Sequence, residues 1–191
     1  MNIITSDKHH INPILNIHRQ AFGETAGPVI AGLVADLFQD ESARPGLSLV
    51  ATDKNPDQAP AQGDAGILGH ILFTRARIMG TRLPVSAMLL APLAVSPEVQ
   101  GRGIGQALIR DGLDRLRASG VDLVFVLGHP GYYPKAGFTP AGVRGFSAPY
   151  PIPEKDAGAW MVRDLGTGLL GWIKGTVQCA RALDRPEHWR E

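Results

Sequence analysis

Residues Gln100 to Gly105 read Gln-Gly-Arg-Gly-Ile-Gly. They stand between an apolar run, Met88 to Val95, and an amphipathic stretch, Gln106 to Ser119. A strand, a glycine-rich turn and a helix in that order build an anion site. Glycines let the backbone come close to a ligand, and the first N–H groups of a helix have no intrahelical acceptor. The chemistry this spacing suits is the binding of a phosphate or pyrophosphate.

Three designs bind phosphate in this way. The P-loop needs a lysine after its second glycine, and none follows here. The dinucleotide fingerprint, begun at Gly101 or Gly103, needs a small residue at Gln106 or Leu108. It also wants an acid at the end of the next strand, whereas Asp122 begins one. The third design is Gln/Arg-x-x-Gly-x-Gly/Ala, matched by Gln100, Gly103 and Gly105. The run Pro92 to Gly105 is similar to the acetyl-CoA segment of the GCN5-related N-acetyltransferases (GNAT). Tyr133-Pro134-Lys135-Ala136-Gly137-Phe138 resembles that family's Tyr-x-x-x-Gly-Phe segment, at the expected distance downstream. Val126 to Tyr133, Ala21-Phe22-Gly23 and Gly69 to Phe73 resemble a bacterial subgroup called YhbS-like. The resemblance covers most of residues 1–140, and Lys174-Gly175-Thr176-Val177 extends it.

The resemblance implies acetyl-CoA as co-substrate, with no metal. It implies that the backbone of Gly101, Arg102, Gly103, Ile104, Gly105 and Gln106, with Gln100, holds the pyrophosphate. Arg102 then adds charge, or is a solvated surface arginine. Leu93, Ala94 and Val95 pair with the amide-rich pantetheine arm as an added strand would. In the family a bulge there splays two parallel strands; Pro92 and Pro97, which donate no ladder bond, are consistent with it. An N–H near Val95 is the implied oxyanion donor. Tyr133 is the implied acid for the leaving thiolate, and Tyr132 flanks it against the cofactor. The competing reading makes Tyr133 a packing residue with its hydroxyl on backbone. Many relatives carry a basic glutamate on the strand before the glycine turn, but Met88 to Leu93 holds no acid. Glu24 and His70 are the candidate bases. Glu24 also reads as an exposed loop acid, and His70 as a wall of the core. Water relaying the proton is a third route. His129 reads as shaping its loop. His9, His10, His18 and His188 have no metal-ligand spacing.

The implied function is transfer of an acetyl group to a primary amine of a small molecule or peptide. Direct attack in a ternary complex is expected, because no residue is an obvious acyl carrier. Two other readings stay open: a non-catalytic acyl-CoA sensor, and a toxin that acetylates aminoacyl-tRNA. The net charge of +1 lowers the second and argues against a broad nucleic-acid surface. The chain has 191 residues and 44% apolar content, in keeping with one domain, 1–191, with its core in 1–140. No run is expected to reach the roughly 18 to 20 apolar residues of a membrane span. Met1 to His10 has no signal-peptide core, so a cytoplasmic protein is expected. The lone Cys179 reads as a buried small residue. A monomer is expected, or a homodimer in which the C-terminal strands pair.

These residues need a frame. A first strand fits Asn2 to Thr5. Ser6 or Asp7 caps a helix that runs to Phe22, with Ile14, Ile17, His18 and Ala21 on one face. Gly23 stops it, a short loop follows, and a second helix fits Pro28 to Gln39. Strands are expected at Leu47–Thr52, Ala65–Met79 and Val85–Val95, with an exposed loop at Asp53–Asp64. The helix after the glycines buries Leu108, Ile109, Gly112, Leu113 and Leu116. Gly112 costs about 1 kcal/mol of helix propensity, so close packing on the sheet should explain it. Val121–Leu127 reads as a central strand, and Tyr132–Ala136 as a short helical turn. Ala159–Asp164 and Gly175–Ala180 are expected strands, and Leu183–Glu191 a polar tail. Two helices, a strand meander and a strand–helix–strand unit give one mixed α/β domain. The resemblance makes it α+β: a mostly antiparallel mixed sheet with one splayed parallel pair and flanking helices.

Overall fold

The computed structural model describes residues 1–53 and 66–189. Apart from Asp53, the loop expected at Asp53–Asp64 lies outside the described residues. The sheet begins with β1 (Asn2–Thr5). Asp7 then caps a short turn by accepting from the His9 N–H at 2.8 Å, and α1 (Ile11–Gln39) follows. The meander β2 (Leu47–Thr52), β3 (Ile67–Met79) and β4 (Ala87–Val95) is antiparallel throughout. Next come α2 (Ile104–Ala118) and β5 (Leu123–Leu127), which lies parallel to β4. The two-residue strands β6 (Thr139–Pro140) and β7 (Phe146–Ser147) had no sequence signal. Finally β8 (Trp160–Asp164) runs antiparallel to β5, and β9 (Gly175–Gln178) joins β3 and β7. The strand path is β1-β2-β3-β4-β5-β8-β6, the expected mixed sheet with β4–β5 as the parallel pair along it; off this path β7 and β9 are also parallel.

Alternation along the strands makes two cores. On one face Ile71, Phe73, Leu90, Val124 and Val126 pack under Leu108 and Leu113 of α2. On the other, Leu72, Leu89 and Phe125 pack with Leu33 and Leu37 of α1 and with Trp160. Each such side chain is worth roughly 1.5–3 kcal/mol when fully buried. A Cβ at Gly112 would lie 2.4 Å from a ring carbon of Phe73, which is the close packing expected of that glycine. Arg115 pairs with Asp111 as the spacing predicts, and its Nη2 donates to the Ile3 carbonyl at 3.0 Å, tying β1 to α2.

Three expectations need correction. Gly23 does end the first helix, but no loop follows. Its backbone (φ 75, ψ −174) lies in a region essentially confined to glycine, and one residue makes the whole turn. The second half resumes before Pro28, and a Cβ at Gly27 would lie 2.2 Å from the Arg19 carbonyl oxygen, so the halves cross closely. Secondly, Lys8–Gln39 is long and apolar enough to cross a membrane, against expectation. In the fold it breaks at Gly23 and buries Ile14, Ile17, Val34 and Leu37. Thirdly, Leu183–Trp189 is no polar tail. Trp189 is 3% exposed, its indole N–H donates to the Leu183 carbonyl at 2.9 Å, and its ring meets Trp160 edge-on. The C-terminal strands pair within the chain, on β3 and β5. Cys179 is half-buried against this core, and burial pushes its thiol up to about 12.

Candidate active site

The slot forms where the parallel pair ends. β4 and β5 are in register from Ala87↔Leu123 to Leu90↔Val126 and no further. At that level β4 is irregular against β3: Phe73 faces Leu90 and Ile71 faces Leu93, so Ala91 and Pro92 share the place of one residue. The bulge bends β4, and proline suits it because that position needs no ladder donor. β4 continues to Val95 without β5, while Leu127 pairs with Trp160 of β8. Among the described residues, the β5-facing edge of Leu93, Ala94 and Val95 therefore has no strand partner. Leu93 and Val95 lean on the α2 core, and Ala94 points to the α1 face.

The glycine turn closes one end of this slot. Gly101 and Gly103 have φ of 75° and 81°, and a Cβ on either would meet nothing within 4 Å. Both features suit an anion cradle: a backbone that glycine adopts freely, and open space in front of it. Gly103 is the N-cap of α2 and makes no side-chain cap bond; the first intrahelical bond runs from Ala107 N–H to the Gly103 carbonyl. The N–H groups of Ile104, Gly105 and Gln106 thus precede the helical ladder, and they stand at its positive end. The Ile104 side chain is buried, so its backbone alone faces the cradle. Arg102 is exposed beside it. Gln100 does structural work, since its Nε2 donates to the Val95 carbonyl at 3.1 Å and ties the turn to the end of β4.

Gly105 has a different reason to be glycine. A Cβ there would lie 2.1 Å from the Tyr132 hydroxyl and 3.5 Å from a Val95 methyl. Tyr132 therefore reaches over the first turn of α2, where burial raises its pKa. Gln106 holds it there by donating from Nε2 to the Tyr132 carbonyl at 3.0 Å. Tyr133 opens the short turn Tyr133–Ala136 and lies against Gly128, where a Cβ would be 2.3 Å from its ring. Its ring also meets Tyr132 and Phe138 edge-on at 5.3 and 5.8 Å. His129 shapes this loop as expected, its Nδ1 accepting from the Gly131 N–H at 3.0 Å.

The candidate bases separate. Glu24 is exposed in the first turn after the Gly23 break, on helix rather than loop. His70 is 0% exposed on β3, register partner of Ala94, and faces α1. Its Nδ1 is hydrogen-bonded to His18 Nε2 at 2.8 Å and its Nε2 to Ser48 Oγ at 2.9 Å. Burial, and His18 beside it, hold its pKa well below the ordinary value. His18 is also 0% exposed, and burial pushes it down to about 4. Sequence reasoning missed this partnership. Its signal was a histidine within the apolar stripe of the first helix. Among the described residues there is no cluster of His, Cys, Asp or Glu that could hold a metal ion. Asp122 accepts from the Ser86 N–H at 2.8 Å and so secures the start of β4.

The profile of the acetyltransferase (GNAT) domain matches residues 50–140. The chain is 46% identical over 176 residues to the uncharacterized N-acetyltransferase YjhQ of Escherichia coli K12, covering 92% of this chain and 90% of that one. It resembles the crystal structure of Escherichia coli YhbS in complex with CoA, with a TM-score of 0.81 and 26% identity over 97% of this chain and 92% of the other. A Brucella melitensis GNAT acetyltransferase in complex with acetyl-CoA superposes with a TM-score of 0.69 and 26% identity, covering 96% and 97% of the two chains.

Proposed function

Because the chain belongs to the GNAT family of N-acetyltransferases, we propose that it moves the acetyl group of acetyl-CoA to a primary amine of a small molecule or peptide. The observation that carries this reading is the free edge of β4 opening onto the uncapped start of α2. In this reading the N–H groups from Gly101 to Gln106 hold the pyrophosphate, and Leu93 to Val95 pair with the pantetheine amides. A Val95 N–H is aimed at the thioester oxygen, where negative charge develops. The amine attacks the thioester carbon directly. Its C–N bond forms as the C–S bond breaks, and Tyr133 gives a proton to the departing sulfur. The acceptor enters from the Gly23 break and the region beyond Phe138. That region offers a cleft of about 570 Å³ lined by Phe146, Tyr150, Ile152 and Trp160 and, among the described residues, by no charged side chain. A larger cleft of about 880 Å³ lies at the far end of α2, around Arg75, Arg77 and Asp122, away from the glycine turn.

Calorimetric titration with coenzyme A and thiol release over an amine panel test the reading. Saturable binding together with amine-dependent release is expected. Absence of coenzyme A binding refutes it. Binding with no release above the protein-free rate favours a sensor.

A further inference from the structure

A chain of four hydrogen-bonded side chains runs from the end of β1 through β2 and β3 to α1. Ser6 Oγ and Ser48 Oγ are 2.5 Å apart, Ser48 Oγ and His70 Nε2 2.9 Å, and His70 Nδ1 and His18 Nε2 2.8 Å. The serines are half-buried and both histidines are 0% exposed. At the inner end, His18 Nδ1 is buried and, among the described residues, has no hydrogen-bond partner. Buried polar atoms are rarely left in this state without a use or a guest. The chain also sits in the right place. His70 is the register partner of Ala94 on the strand edge described above. His18 lies one turn before the Gly23 break, and the ring of Phe22 lies nearly parallel to it at 6.0 Å. Phe22 is 39% exposed, so the ring stacked on His18 reaches the surface, and the relay requires it to move aside.

We propose that His18 and His70 form a proton relay for the transfer reaction: His18 Nδ1 takes the proton of the attacking amine, and the chain delivers it through His70 and Ser48 to Ser6. This rests on the acetyl-transfer reading. Each transfer is balanced. As His18 Nδ1 gains the amine proton, its Nε2–H passes to His70 Nδ1, His70 Nε2–H passes to Ser48, and the serines hand a proton to solvent water. Neither imidazole has to hold charge, which matters because burial penalises the imidazolium of both. The reset is the reverse hop, with one proton entering at Ser6 and one leaving His18 Nδ1 to water in the emptied site. The relay also supplies what Met88 to Leu93 lacks, an acceptor for the amine proton on a strand without an acid.

Only one resting polarity serves as a base: both histidines protonated at Nε2, with His18 Nδ1 a bare lone pair. Nitrogen NMR of the ¹⁵N-histidine-labelled protein reads this directly and needs no acceptor. Two neutral Nε2–H tautomers are expected; an Nδ1–H tautomer at either residue overturns the relay whatever the enzyme acetylates. With the amine that the panel identifies, Ser48→Ala cuts the exit while leaving both imidazoles in place. Lower kcat at unchanged KM is expected, with the solvent isotope effect changing from a many-proton to a single-proton dependence; the thermal midpoint falls because the buried His70 Nε2 loses its partner, but the isotope readout is not moved by stability. Unchanged turnover overturns the relay. His18→Gln should cost about 100-fold or more in kcat, the usual scale of general-base catalysis. Failure of coenzyme A to bind refutes the acetyl-transfer reading and leaves the tautomer result to judge the histidine pair.

Discussion

Two adjacent tyrosines face different tasks, and the glycines they touch tell them apart. Tyr132 lies over Gly105 at the start of α2, whereas Tyr133 lies against Gly128 after β5. Tyr133→Phe removes only a hydroxyl, so coenzyme A affinity should be kept while kcat falls by roughly 10²-fold, at the low end of general-acid effects. Titration calorimetry and thiol release measure the two separately, and unchanged turnover removes Tyr133 as the acid. The histidine pair makes a prediction about stability. His18 titrates at about 4 in the folded chain against 6.5 in the unfolded one, and His70 is lowered as well. Between those values the unfolded chain binds more protons, so stability falls as the pH drops from about 6.5 towards 4. The loss from His18 alone is on the order of 3 kcal/mol. Denaturant unfolding across that range should show this decline, and His18→Gln should flatten it. An equally steep decline in the variant would assign the effect elsewhere.

At the scale of elements, two glycines do what no other residue can. Gly103 holds φ 81 at the N-cap of α2 with open space before it. Gly103→Val would strain the turn and fill the cradle, so coenzyme A binding should be lost in calorimetry while the circular dichroism spectrum stays that of the wild type. Gly23→Ala should cost about 1–3 kcal/mol, because alanine tolerates φ 75 with extended ψ poorly. A shift in the denaturant midpoint at constant slope reports it, and no shift would mean that the kink has other support. These elements were legible because their cues are local. A glycine turn, prolines flanking a strand and a break at Gly23 each act within a few residues. The loop expected after Gly23 was an error of the same kind, since the sequence does not reveal that the helix halves cross at Gly27 and Arg19. The His18–His70 contact spans 52 residues of sequence, so only the folded sheet brings the pair together. β6 and β7, at two residues each, are too short to carry a period.

At the scale of the molecule, the family profile ends at residue 140, yet the fold does not. β8 covers the whole length of β5, from Leu123↔Asp164 to Leu127↔Trp160, so the strand beside the slot owes one of its two neighbours to the C-terminal region. Trp160 stacks on Phe125 at 5.3 Å, and Phe146 meets the same ring edge-on at 5.2 Å. Met161, Val162, Leu165, Leu183 and Trp189 are all buried. At roughly 1.5–3 kcal/mol for each large side chain, removing them matches or exceeds the roughly 5–15 kcal/mol that stabilises a domain. The sequence made this region look like an appendage because its strands are short and its aromatics stand far apart. A chain ending at Pro140 tests the point. It should show no cooperative thermal transition, should lack the near-ultraviolet signal of packed aromatics and should not bind coenzyme A, because an uncovered β5 cannot hold its side of the slot. A fragment that unfolds cooperatively and binds coenzyme A would reduce residues 141–191 to a separable addition.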